Sequence, residues 1–228
     1  MDIIQAKKYQ DLIIVHVLFM VLCVVVLVIP GVVIGGKLFV LVAAYNVFIP
    51  AVGFLRNHRD WLLPWGYAFV LSLFQVFPDW FLATQLETII FPDDGFFMIG
   101  PVSGYMAGLW AIPLFVILYI GLEVKKEKSH RSAYLVVAAL TLLIFGLAEE
   151  TMWMLPSWSA QNVAMMGHIA VYIIIPEILL GLSTLISYEL VQARPIWIWI
   201  IGAFTVMILY MGNISFFYLL IERILPGA

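Results

Sequence analysis

Residues 79–113, DWFLATQLETIIFPDDGFFMIGPVSGYMAGLWAIP, carry the pattern from which the fold is read. An ionisable residue, Glu87, sits in an apolar run. The chain then turns at Phe91-Pro92-Asp93-Asp94-Gly95 and enters a second apolar run with a proline inside it. Similar residues return 63 positions later: Glu87 falls on Glu150, Gly104 on Gly167, and Ile112-Pro113 on Ile175-Pro176. The same step back from Pro113 lands on Ile49-Pro50. The turn prolines Pro92 and Pro156 are 64 apart, so the register slips there by one residue. Helix pairs repeated along the chain are the expectation.

Around that stretch the composition admits one setting. Of 228 residues, 64% are hydrophobic and 11% charged, and mean hydropathy is +1.09. A soluble domain is closer to half apolar and a quarter charged. A fold of this size leaves roughly a third of its unfolded surface exposed, so a bilayer must cover the apolar excess. A net charge of -3 speaks against nucleic acid or any strongly charged partner. The single Cys23 excludes an intramolecular disulfide. The first apolar run is too long for a signal-peptide core and is read as a retained span.

A span needs about 20 apolar residues. Seven are expected, over 10–29, 33–54, 62–90, 97–122, 132–155, 162–188 and 195–221. The expected fold is therefore an all-α integral membrane protein: one seven-helix domain over 1–228, with helix pairs 1–2, 3–4 and 5–6 and a seventh helix. Helices are expected because a lipid-facing backbone must satisfy its own hydrogen bonds. Pro78 is expected to kink or break the third span, leaving 79–90 as a separate half-helix. Seven spans place Lys7, Lys8, Arg56, Arg59, Lys125, Lys126, Lys128, Arg131 and Arg194 on one side, and Lys37 and Arg223 on the other. That bias predicts a cytoplasmic N-terminus and a non-cytoplasmic C-terminus.

Charges inside hydrocarbon cost about 2.5–3.5 kcal/mol each on insertion scales, so those present call for a role. Asp79, Glu87, Glu149, Glu150 and Glu177 are the candidates. Glu149 and Glu150 point about 100° apart on a helix and cannot serve one pocket equally. The repeat selects Glu150 as the partner of Glu87, with Asp79 and Glu177 as helpers. A protonated carboxylic acid in an oily cavity is a general acid suited to an alkene or epoxide. Trp80, Tyr105, Trp110, Trp153 and Tyr172 are expected to turn their π faces to a developing cation, with His168 beside them. Phe91 and Trp158 are further candidates for that wall. The bland alternatives are acids hydrated at the interface or hydrogen-bonding neighbouring helices, Asp79 as an N-cap after Pro78, and Asp93-Asp94 as turn residues.

No cofactor is expected. No glycine loop for phosphate is present, Gly31, Gly35 and Gly36 reading as a turn, and Asp93-Asp94 is too short for a diphosphate-binding magnesium motif. A metal held by His168 with Glu150 and Glu87 is the weaker reading, because HxxxH and HExxH spacings are missing.

The segments Phe77-Pro78-Asp79-Trp80 and Phe91-Pro92-Asp93-Asp94-Gly95 resemble those of uncharacterised seven-helix membrane proteins of plants and bacteria. That likeness implies a fold and no activity. More distantly, the plan is similar to the membrane-integral meroterpenoid (terpene) cyclases, seven-helix enzymes that open epoxides with intramembrane acids and no metal. Glu87 matches their first acid by place; where their last helix carries a second acid, this chain has Asn213. Leu147-Ala148-Glu149-Glu150 resembles the Pro-x-Glu-Glu motif of membrane lycopene cyclases but lacks its proline. These resemblances imply an acid-initiated cyclase or isomerase of an isoprenoid-like molecule. A small-molecule or lipid transporter with proton-coupled acids is the alternative, and a structural subunit a third reading.

Overall fold

The computed structural model describes residues 3–225. Residues 1, 2 and 226–228 of the domain expected over 1–228 lie outside it. Helix α1 runs Ile3–Val28, α2 Ile34–Leu55 and α3 Arg59–Phe74. After a break at Gln75 come α4, Val76–Phe81, and a π-turn over Leu82–Leu86. Strand β1, Ile89–Ile90, and a hairpin of β2, Met98–Ile99, with β3, Val102–Ser103, lead to α5, Met106–Leu109, and α6, Ala111–Glu127. Helix α7, His130–Met152, is followed by β4, Ser159–Ala160, then by the hairpin of β5, Met165–Met166, with β6, Ile169–Ala170. A short 3-10 turn enters α8, Ile174–Val191, and α9, Ile196–Tyr218, continues as a π-helical end to Ile224.

Among the described residues, seven helical stretches are long and apolar enough to cross a membrane. The fold is all-α apart from three two-residue strand pairs. The number of such helical stretches matches the number of spans expected, but the starts of two do not. Residues 97–105 and 162–170, expected as helix, instead form hairpins, and the helices start at Met106 and Val171. Gly100 and Gly167 hold the hairpin turns at φ +61° and +66°, a region a side-chain-bearing residue enters only with strain. Gly100 also has the Trp80 ring packed on it, with no room for a Cβ.

Proline placement explains the helix ends. Pro113 and Pro176 fall in the first turns of α6 and α8, where a missing N–H costs nothing. Pro78 lacks the donor that the carbonyl of Phe74 would need, and the helix breaks one residue on, at Gln75. The expected half-helix over 79–90 is helical only to Leu86.

Helices α3, α6, α7, α8 and α9 each pack on the next, and α9 returns to α3, closing a ring. Helix α2 leans on α3 from outside, and α1 packs chiefly on α2. Small residues set the close approaches. A Cβ on Gly181 would overlap the Thr141 hydroxyl between α8 and α7, and one on Gly121 would meet Val137 Cγ2 between α6 and α7 at 2.5 Å. In α7 the buried positions Ala133, Val137, Thr141 and Phe145 recur every fourth residue. That face turns into the ring.

Candidate functional site

The ring encloses a cavity of about 260 Å³ toward the end that carries the strand pairs. Its walls are apolar except where three carboxyls reach it: Asp79 from α4, Glu149 from α7 and Glu177 from α8. Five aromatic residues complete the wall, Trp110, Phe145, Trp158, Tyr172 and Tyr210. Thr88, Ile89 and Ala160 belong to the roof. There β1 pairs with β4 antiparallel, Ile89 opposite Ala160, and the Gln161 N–H donates to the Thr88 carbonyl at 2.9 Å.

Each acid is held differently. Asp79 is 2% exposed, and its Oδ2 accepts from Trp110 Nε1 at 3.1 Å. Glu149 Oε1 accepts from Trp158 Nε1 at 3.0 Å. Glu177 is 5% exposed and has no hydrogen-bond partner among the described residues. Glu149 lies within electrostatic reach of both Asp79 and Glu177. Tyr172 donates its hydroxyl to Thr88 Oγ1 at 2.7 Å, tying the start of α8 to the roof. Like charges within reach of one another in a medium of low dielectric cannot all be ionised without large cost.

Of the residues read from sequence, Asp79, Glu177, Trp110 and Tyr172 line the cavity. Glu87 and Glu150, expected to face each other inside it, do not. Glu87 ends the π-turn in the left-handed region, φ +55°, its side chain exposed beside Asp93 and Asn162 in a groove outside the roof. Asn162 Nδ2 donates to the Glu87 carbonyl at 3.0 Å. Glu150 turns outward and accepts from the His168 N–H at 2.8 Å and from His168 Nδ1 at 3.1 Å. His168 stacks on Trp153 with ring centroids 4.2 Å apart. Trp153 and His168 thus form an outer cluster rather than a cavity wall. Trp80 is 42% exposed and covers Gly100. Tyr105 is buried outside the cavity lining. Asp79 makes no N-cap, while Asp93 and Asp94 cap their own turn at the N–H groups of Gly95 and Phe96.

Glu149, Phe145, Trp158 and Tyr210 complete the site. Glu149 was readable from the four-residue step of Ala133, Val137, Thr141 and Phe145, which ends on it. Tyr210 carried no such mark, lying in a helix apolar on every side.

Residues 76–221 match the family described as a domain of unknown function (DUF6989). The chain belongs to that family. No curated protein and no solved structure matches it. Every residue lining the cavity, from Asp79 to Tyr210, falls within the matched segment, whereas α1, α2 and α3 precede it. The cavity therefore lies wholly within the family's segment.

Proposed function

We propose that the protein is a membrane-embedded acid–base catalyst that cyclises or isomerises an isoprenoid-like molecule in this cavity. The observation that carries the reading is the convergence of Asp79, Glu149 and Glu177 with five aromatic residues on one apolar space. One carboxyl, in its protonated form, gives its proton to an alkene carbon or an epoxide oxygen. The π bond or the C–O bond breaks, and positive charge develops on carbon. The faces of Trp110, Phe145 and Tyr210 stabilise that charge. A second π bond of the substrate closes a ring, or no ring forms, and a carboxylate removes a neighbouring proton. Product and substrate then have the same composition, and the acids have exchanged one proton. Asp79 and Glu177, with Glu149 in place of Glu87 and Glu150, are the catalytic set. The N-terminus is assigned to the cytoplasm and the cavity to the other half of the bilayer, from the nine-to-two division of cations.

Purified protein in lipid, incubated with linear isoprenoid alkenes and epoxides, is expected to yield a product of unchanged mass. General acid–base catalysis contributes about 10²–10⁴-fold, so Asp79→Asn, Glu149→Gln and Glu177→Gln should each lose at least about 100-fold in turnover. Glu87→Gln and Glu150→Gln should retain it. Full turnover in all three cavity variants sinks the proposal.

A carrier of a small lipidic molecule is the second reading. It is favoured by the order helix, strand, hairpin, helix, which occurs over 59–127 and again over 130–191, with Pro113 and Pro176 each in a first turn. We take this as an internal repeat of the pairs 3–4 and 5–6. Proton-dependent flux in proteoliposomes, with the cargo chemically unchanged, would select it over the catalyst.

A further inference from the structure

Beside the cavity lies a second group of buried polar atoms. Ser72 Oγ, both polar atoms of the Gln75 side chain, Ser103 Oγ, the Tyr105 hydroxyl and Asp94 Oδ2 are buried without a hydrogen-bond partner among the described residues. Their residues are each at most 3% exposed. Such atoms are rare in folded proteins, and ordered water is their usual partner. They are also neighbours. The Gln75 N–H donates to the Ser72 carbonyl at 3.2 Å and the Asp79 N–H to the Gln75 carbonyl at 3.2 Å, so the three follow one another turn by turn. Helix α3 packs on α5, and α4 packs on β3, the strand that ends at Ser103, two residues before Tyr105. The Tyr105 hydroxyl stands beside Ser103 and Ser157, within electrostatic reach of Asp94 and Asp79. Trp110 occupies Asp79 Oδ2, leaving Oδ1 without a partner among the described residues.

We propose that Ser72, Gln75, Ser103, Tyr105 and Asp94 hold a cluster of ordered waters against Asp79, and that these waters exchange protons with its carboxyl group. None of the five lines the cavity, so the cluster reaches Asp79 from behind the apolar wall. Water there can pass protons along a hydrogen-bonded chain without entering the space meant for an oily ligand. The cluster serves a catalyst or a carrier alike, and its test leaves that choice open.

Two measurements on the full chain in nanodiscs decide it. Hydroxyl radicals made from bound water by a millisecond X-ray pulse should modify Tyr105 several times faster than Tyr45. Tyr45 is equally buried, but its hydroxyl meets His16 Nε2 at 3.0 Å. Gln75→Met removes the polar atoms at similar size. If they bind water, it should lower Tm by about 2–4 °C; if they are unpartnered, it should raise Tm or leave it unchanged. Modification of Tyr105 no faster than Tyr45, or a Tm that does not fall, overturns the proposal.

Discussion

One position along α7 decides which acid lines the cavity. Glu149 continues the row of Ala133, Val137, Thr141 and Phe145 and meets Trp158 in the cavity. Glu150, one residue on, is rotated by about 100° and holds His168 on the outer surface. Equally local reasoning applies to the glycines at helix crossings. Gly181→Ala would drive a methyl group into Thr141, whose hydroxyl already donates to the Val137 carbonyl at 2.7 Å. Overpacking of this kind costs about 1–3 kcal/mol, seen as a lower melting temperature in detergent. Gly212→Ala meets nothing within 4 Å and should be neutral or stabilising by up to about 1 kcal/mol, the helix propensity difference. The pair separates close packing from propensity within one protein.

Among the helices, α1 is the least embedded: only 11% of its apolar window is buried. Polar ties anchor it. Lys8 Nζ lies 2.7 Å from Asp60 and 2.8 Å from Glu123, Asp11 pairs with His58 at 2.7 Å, and His16 reaches Tyr45. Lys8→Met leaves Glu123 paired with Lys126 at 2.6 Å, so the cost is less than that of a fully orphaned buried charge. A loss of about 1–2 kcal/mol corresponds to a factor of about 5–30 in local opening. Hydrogen exchange over amides 8–16 should quicken by that factor, while α8 exchanges as before. The hairpins over 98–103 and 165–170 teach the opposite lesson about readability. Their residues are apolar and continuous with the helices that follow, and short apolar runs look alike as strand and helix. Gly100 and Gly167 were the available signals, each a turn former ahead of a helix.

Seen entire, the molecule is a five-helix ring with two helices outside it, and the family match covers most of the ring. Its assigned orientation is open to direct measurement. With Cys23 replaced by serine, Asp93→Cys should react with a membrane-impermeant maleimide from the outside of intact cells. Lys128→Cys should react only after permeabilisation. The reverse pattern would invert the protein and place the cavity in the cytoplasmic half. That the chain has seven stretches able to cross a bilayer was readable from the amino acids, because length and hydropathy are properties of a segment and need no neighbour. Asp79, Glu177, Trp110 and Tyr172 were also named as candidates from sequence, and they line the cavity. The rest came only from packing. Whether Glu149 or Glu150 faces inward depends on how α7 is rotated, and that is set by the close contacts of Gly121 with Val137 and of Gly181 with Thr141. Glu87 left the expected pair because the helix that would have carried it inward ends at Leu86 in a π-turn, and β1 then binds β4 to close the cavity beneath it. Strand pairing between loops about 70 residues apart is invisible to any reading of local pattern, since its hydrogen bonds exist only once the helices have brought the two segments together.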